Sequence, residues 1–423
     1  MTAAVEIRVP GDKSISHRAL IFAALARGTS QIRDILLSAD VHSTAGVLRA
    51  LGVPVPPLGA DITITSAGAR AFTPPAVDLD CGNSGTTTRL LAGVAAGCAF
   101  HSRFIGDESL SRRPMRRVAR PLIEMGARVE LEAGDGLPMV IHGGALHSIA
   151  WRSETASAQI KSAILLAGVV AGVDVQVTEP SRSRDHTERM LRAFGATVEV
   201  DGTRVRLAAT ETLQPFDLRV PADPSSAAFL IALAVLSAHT SIVVPNVCLN
   251  PTRTGFFEVL RRMGARVQTV PGAQQGGEDT GSVEGAPSEL RGVVVGAGDV
   301  PSMIDELPLL ACAAARALGT TEIRGAAELR VKESDRIATV VSNLRALGAS
   351  ADELPDGLVV HGSSSPLRGT VRTHGDHRIA MAFGVLGALP GNEIEFDDPS
   401  CVAVSYPAFW SDLGRATRAM AGR

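Results

Sequence analysis

Aromatic side chains are scarce in this sequence: twelve Phe, two Trp and one Tyr among 423 residues, 4% in all. With 45% hydrophobic residues, the core must therefore be built from Ala, Leu, Val and Ile. Cysteine is equally sparse. The five (Cys81, Cys98, Cys248, Cys312 and Cys401) are odd in number, scattered and without CxxC spacing. That pattern excludes a disulfide framework or zinc cluster and fits a reducing compartment. Net charge is nearly absent at −3, which argues against a general nucleic-acid binder. Long apolar runs are missing too, each being broken by Gly or a polar residue before about 18 residues. No apolar signal run or Arg/Ser-rich transit segment opens the sequence. These absences leave a soluble, cytoplasmic, globular protein as the expectation, too long for one ordinary core and so divided into two domains.

What is present is a repeat. Six Ala/Leu-rich helical stretches occur at Ser16–Arg27, Gly85–Ala96, Ser157–Ala171, Ser225–Ala238, Ile304–Leu318 and Asp376–Leu389. Five are followed by an amphipathic helix ending in Gly, at Leu48–Gly52, Leu122–Gly126, Leu191–Gly195, Leu260–Gly264 and Leu344–Gly348. Each ending fits a C′ glycine cap. The sixth copy, near Phe409–Leu413, is degenerate. A period of roughly 70 residues suits a β-α-β-α-β-β unit. Runs such as Ala127–Leu131, Thr197–Val205 and Leu358–His361 are expected strands. Six units divide into two sets of three, with Pro and Gly punctuating 10–13 and 221–225 as hinges. The expected lobes are 12–223 and 1–11 plus 224–423. Pro271–Pro287, rich in Gly, Gln and acids, reads as a mobile surface loop.

The first helix of each unit is apolar nearly all round, as buried helices are, so polarity collects at the N-termini. Pro10–Arg18 reads Pro-Gly-Asp-Lys-Ser-Ile-Ser-His-Arg, placing Lys13 and Arg18 where the helix dipole disfavours cations. Lys161, Arg336 and Arg378 stand at other helix starts. One misplaced cation is noise; recurrence points to a polyanionic ligand held by dipoles, hydroxyls and cations. Leu79–Gly93 holds Gly82, Asn83, Ser84, Gly85 and Thr86 at a helix start but lacks P-loop spacing, which excludes that NTP-binding motif. Arg103, Arg112, Arg113, Arg116, Arg117 and Arg120 cluster around Pro114. Without interleaved aromatics, and with Asp107 and Glu108 nearby, this reads as one ligand-facing arginine among solvated ones. Asp305 enters the fifth apolar stretch, and Ser334 is placed to cap the helix after Lys332 and Glu333. Ser157, Asp185 and Asp305 also suit ordinary caps.

Pro10–Arg18, Leu79–Gly93, Arg330–Arg336 and Asp376–Arg378 together, in order and across the chain, resemble the 5-enolpyruvylshikimate-3-phosphate synthase family. The resemblance implies an α/β enolpyruvyl transferase fold of two lobes, each of three βαβαββ units with buried helices, an inside-out α/β barrel. It also implies lobes that close over two anionic substrates. The implied reaction moves the enolpyruvyl group of phosphoenolpyruvate to the 5-hydroxyl of shikimate 3-phosphate, without cofactor or metal. By the same resemblance Asp305, Glu333 and Lys13 are catalytic. Lys13, Ser14, Arg18, Ser157, Gln159, Arg184, Asp305 and Lys332 meet shikimate 3-phosphate. Lys13, Gly85, Arg113, Gln159, Arg336 and Arg378 meet phosphoenolpyruvate. A cytoplasmic monomer, a target of glyphosate, with no nucleic-acid or membrane partner is the further expectation. Ala158 and Val404 depart from a branch of the family that has serine and a phosphoenolpyruvate-binding lysine there.

Two rivals remain. UDP-N-acetylglucosamine enolpyruvyl transferase shares the architecture but typically carries a reactive cysteine in the segment corresponding to Gly106–Arg113, which here has none. A non-catalytic anion clamp would keep the arginines but has no need of Asp305 and Glu333 together.

Overall fold

The computed structural model describes residues 4–132, 134–210 and 212–421. Six apolar helices form within the Ala/Leu-rich stretches, at Lys13–Leu25, Gly85–Ala96, Ala158–Ala171, Pro224–Leu236, Leu307–Ala314 and His377–Gly387. Their side chains are buried on nearly every face, as their unbroken apolar sequence requires. Polar side chains serve the N-termini. Asp12 accepts from the Ile15 N–H at 2.8 Å, Ser84 from Thr87 at 3.1 Å and Asp376 from Arg378 at 2.9 Å. The fifth helix is shorter than its apolar stretch, because Ile304–Glu306 forms a separate 3₁₀ turn ahead of it.

Five of the following amphipathic helices end at the anticipated glycines. Gly52, Gly126, Gly195, Gly264 and Gly348 all have φ between 87° and 112°. At each, the glycine N–H and the next residue's N–H turn back onto carbonyls of the last turn, as in Gly52 to Arg49 and Val53 to Leu48. This is the Schellman arrangement, which needs a left-handed residue and so selects glycine.

Strand order follows one plan. Leu79–Asp80 runs parallel to His101–Ile105 across the helix Gly85–Ala96; His101–Ile105 then pairs antiparallel with Met139–His142, and that strand with Arg128–Leu131. The same order recurs in the sheet from Ile149–Arg152 and in that from Val294–Val295. The first sheet of each unit borrows its parallel strand from afar. Asp217–Arg219 pairs with Arg27–Arg33, and Val5–Glu6 with Ile242–Cys248. Among the described residues the strands form six separate sheets of two to four strands. Two units result: Gly11–Val220 with Gln274–Glu278, and the remainder, comprising the segment up to Pro10, Pro221–Ala273 and the chain from Asp279. No helix among the described residues is long and apolar enough to cross a membrane.

Two expectations are corrected here. Thr197–Val205 is not one strand but a hairpin, Val198–Asp201 with Arg204–Leu207, turned at Gly202 with φ 58°. Pro271–Pro287 is not a mobile loop: Thr280–Ala286 is a central strand between Ile242–Cys248 and Arg266–Pro271. Its glycines misled by lowering apolar content, whereas they serve close packing. A Cβ on Gly285 would lie 3.0 Å from the Ile231 carbonyl oxygen. Within the other unit, Glu278 is anchored by His186 Nδ1 at 2.7 Å.

The closest helix approach also depends on glycine. A Cβ on Gly93 would fall 2.1 Å from the Ala163 carbonyl oxygen in the neighbouring helix. Gly93→Ala must therefore part the two backbones, and we expect it to lose about 1–3 kcal/mol of stability in denaturant unfolding. An unchanged midpoint would show that this crossing is not tight.

Candidate active site

In the unit built on Gly11–Val220, the chemistry gathers at helix starts. Asp12 caps the first helix, so Lys13 opens it, and the Lys13 ammonium pairs with buried Asp40. Arg18, one turn on, is buried. Its Nε donates to Thr187 Oγ1 at 2.8 Å, and its two Nη atoms donate to Ser162 Oγ at 2.9 Å and the Ser14 carbonyl at 3.0 Å. Burial lowers its pKa to about 10, so it remains a cation at neutral pH. Arg184 lies close enough to contribute to that lowering. Ser16 is structural, accepting from the Leu36 N–H at 3.1 Å.

Ser157 caps the helix Ala158–Ala171, and Gln159 stands in its first turn. The Gln159 amide donates to Thr86 Oγ1 at 3.0 Å and accepts from Arg89 at 2.7 Å. Arg113 donates to Asn83 Oδ1 at 2.6 Å. A Cβ on Gly85 would lie 2.7 Å from Arg89 Nη1 and 3.5 Å from Arg113 Nη1, so glycine leaves both guanidiniums room. Four more arginines of the cluster are matched by acids. Arg103 pairs with Glu132 and Asp78, Arg112 with Glu108, Arg116 with Asp135 and Arg120 with Glu154. Such a patch has little field left for a nucleic-acid backbone.

In the other unit a single guanidinium organises the site. Arg336 is almost wholly buried. It donates to Asp376 from Nε at 2.8 Å and Nη2 at 3.2 Å, to Glu333 at 2.6 Å and to Asp305 at 3.2 Å. Burial opposes its charge, but these carboxylates outweigh that and hold its pKa above the ordinary value. Four of its five N–H groups are thereby used. Lys332 Nζ lies 3.5 Å from Asp305. Arg378 lies 3.7 Å from buried Glu306, whose carboxylate also receives Ser225 Oγ. The anticipated Ser334 cap is displaced by one residue. Asp335 caps the helix Arg336–Ala346, and Ser334 instead donates to Asp376 at 3.0 Å. Asp376 is the better acceptor, being a carboxylate beside a guanidinium.

The expected residues thus gather in two groups. Lys13, Ser14, Arg18, Gly85, Arg113, Ser157, Gln159 and Arg184 lie in one unit, and Asp305, Lys332, Glu333, Arg336 and Arg378 in the other. Sequence reasoning missed Asp40, Arg89, Glu179 and Glu306, the partners of these groups, because each pairing joins distant segments. All five cysteines are buried, and none is joined to another in a disulfide. Burial pushes the Cys81, Cys98 and Cys401 thiols to about 12, so none is a ready nucleophile.

Comparison with known proteins agrees with this arrangement. A family profile described as EPSP synthase (3-phosphoshikimate 1-carboxyvinyltransferase) matches residues 2–413. The 3-phosphoshikimate 1-carboxyvinyltransferase of Xanthomonas euvesicatoria pv. vesicatoria is 47% identical over 405 residues, 95% of this chain and 92% of the relative. That of Bacillus subtilis is 45% identical, over 98% and 97%. Among solved structures, EPSP synthase from Acinetobacter baumannii superposes with a TM-score of 0.86 at 40% identity, covering 98% of this chain and 96% of that one. The enolpyruvyl transferase NikO from Streptomyces tendae gives 0.76 at 21% identity, covering 98% and 95%, a likeness of fold alone.

One buried group near the first helix start yields a pH prediction. His17 Nδ1 lies 2.7 Å from Thr44 Oγ1, and Thr44 lies 2.7 Å from Thr87 Oγ1. Burial, helped by Lys13 and Arg18, pushes the His17 pKa well below 6.5. The unfolded chain then binds a proton that the folded one refuses. This contribution to stability is complete above pH 6.5 and is lost as pH falls toward the folded value. We expect acidification from pH 7 to 5.5 to cost the parent up to about 1.4 kcal/mol per pH unit more than His17→Asn. Parallel stability curves would show that His17 does not titrate this way.

Proposed function

The chain belongs to the EPSP synthase (3-phosphoshikimate 1-carboxyvinyltransferase) family, and we propose that Asp305 and Glu333 carry the proton transfers of that family's reaction. The enzyme transfers the enolpyruvyl group of phosphoenolpyruvate to the 5-hydroxyl of shikimate 3-phosphate and releases phosphate, in aromatic amino acid biosynthesis. The observation that supports these roles most is the pair of hydrogen bonds from one buried guanidinium. Arg336 fixes Asp305 at 3.2 Å and Glu333 at 2.6 Å, giving two carboxylates a common, rigid reference.

Asp305 takes the proton of the 5-hydroxyl as its oxygen bonds to carbon 2 of phosphoenolpyruvate, while Glu333 gives a proton to carbon 3. The tetrahedral intermediate then holds both the new ether and the phosphate on carbon 2. Glu333, left ionised by that transfer, then takes a proton back from carbon 3, restoring the double bond as the C–O bond to phosphate breaks, and the proton held by Asp305 leaves with the phosphate. Each carboxyl group thus gives and takes one proton and ends the cycle as it began. Lys332, 3.5 Å from Asp305, orients the hydroxyl-bearing substrate. Lys13, Ser14, Arg18, Ser157, Gln159 and Arg184 hold shikimate 3-phosphate. Lys13, Gly85, Arg113, Gln159, Arg336 and Arg378 hold phosphoenolpyruvate, with cations placed where charge develops. Val404, on the 3₁₀ turn Pro399–Val404, brings no charge of its own, so the grip on phosphoenolpyruvate rests on these groups. We place the enzyme in the cytoplasm as a monomer; five cysteines without a disulfide among them support the reducing compartment.

Phosphate release from phosphoenolpyruvate, measured with either acceptor, tests the reading. Release is expected with shikimate 3-phosphate and not with UDP-N-acetylglucosamine; the reverse would overturn it. Asp305→Asn should keep shikimate 3-phosphate binding, measured by calorimetry, while kcat falls by roughly 10²–10⁴. Near-normal turnover would remove Asp305 as the base. Arg113→Ala should raise the KM for phosphoenolpyruvate more than that for shikimate 3-phosphate, and an unchanged value would assign the grip to another arginine.

A further inference from the structure

Lys161 is a buried cation that the reaction scheme leaves unused. Its ammonium lies 2.7 Å from Glu179 and 2.8 Å from Glu188, and all three side chains are at most 3% exposed. A buried ion pair of this kind rarely adds net stability over apolar residues of similar size, so what it supplies is geometry. Glu179 gathers donors from three places. It accepts from the Ser157 backbone N–H at 2.9 Å, from Lys161 and from Ser183 Oγ at 2.7 Å. Ser157 precedes the helix Ala158–Ala171, and Ser183 immediately precedes Arg184. Glu188 lies in the helix His186–Ala193, next to Thr187.

The neighbouring residues repeat the link. Ser162 Oγ and Thr187 Oγ1 lie 2.6 Å apart, so the helices at 158–171 and 186–193 are joined twice, by 161 with 188 and by 162 with 187. Arg18 donates to both members of the second link. Three segments that carry shikimate-phosphate groups are therefore registered against one buried charge.

We propose that Lys161 is a positioning residue for the phosphate end of shikimate 3-phosphate, setting Ser157, Arg184 and Arg18 through Glu179 and Glu188. This rests on the assignment of those three residues to that substrate. Lys161 touches no substrate itself. Without it, two carboxylates repel at the hub, the Glu179 and Glu188 segments part, and the hydroxyls that hold Arg18 shift with them. Nothing in this chain of contacts reaches Asp305 or Glu333, so the effect falls on one substrate's KM.

The test is steady-state kinetics of Lys161→Met with both substrates varied, beside Arg18→Met and a thermal melt. A folded Lys161→Met is expected to raise the KM for shikimate 3-phosphate roughly 10- to 100-fold. The KM for phosphoenolpyruvate should stay within about twofold. If that variant does not fold, Lys161→Met with Glu188→Gln restores the net charge of the hub and leaves Glu179 its Ser157 and Ser183 donors. The same KM shift is expected of it. An unchanged KM for shikimate 3-phosphate in the folded variant overturns the proposal, as does a fall in kcat with both KM values unmoved. If Arg18→Met also leaves that KM unchanged, the assignment of the subsite fails; if Arg18→Met raises it, only the role of Lys161 does.

Discussion

A helix that is apolar on every side can be polar only at its ends. That constraint governs this molecule. Its six buried helices have no solvated face on which to carry chemistry, so hydroxyls, amides and charges collect at their N-termini. There the backbone offers free N–H groups and a positive field, which favour anions. The caps Asp12, Ser84, Ser157, Asp223 and Asp376 take up part of that capacity. A cation at the same ends opposes the dipole and must be matched, because a buried charge left alone is far costlier than the dipole term.

Two kinds of matching appear, and they do different things. Lys13, Lys161 and Arg336 close on carboxylates, so most of their charge is spent inside the protein. Arg18 hydrogen-bonds neutral oxygens instead: two hydroxyls and a carbonyl. Its charge is oriented by neutral partners, which suits an anion-binding group. Arg336 works in the opposite sense. Surrounded by Asp376, Glu333 and Asp305, it holds three acids in place, and those acids are as much the product of the cluster as the arginine is. The sequence argument counted both as cations awaiting an anion. Only the partners tell them apart.

That difference marks where legibility ends. Periodicity located all six buried helices, and the glycines at 52, 126, 195, 264 and 348 located the ends of five more, because a left-handed cap is a local demand with a local signature. Motif likeness pointed to Lys13, Arg18, Asp305, Glu333 and Arg336. Contacts across long separations were illegible. Nothing near Lys161 names Glu179 or Glu188, and nothing near Gln159 names Arg89. Thr280–Ala286 was hidden for another reason: a central strand packed against a helix backbone needs glycine, and glycine-rich sequence resembles a loop. Asp335 takes the cap, and the Ser334 hydroxyl donates instead to Asp376, forty-two residues away.

Fold alone does not select the acceptor. NikO shares the architecture at 21% identity, and one scaffold commonly hosts several chemistries. In this chain, most of the expected site residues stand at or near the starts of buried helices, where the side chains presented can vary with little change to the apolar core. Discrimination must therefore reside in those first turns and in what holds them. Ser157 and Gln159 stand two residues apart at the start of one helix, yet they are held by Glu179 on one side and Arg89 with Thr86 on the other. Grafting the binding residues onto a relative without these supports would transfer the letters of the site and lose its geometry. The specificity of such an enzyme belongs to the paired first turns, not to the residues that touch the substrate taken singly.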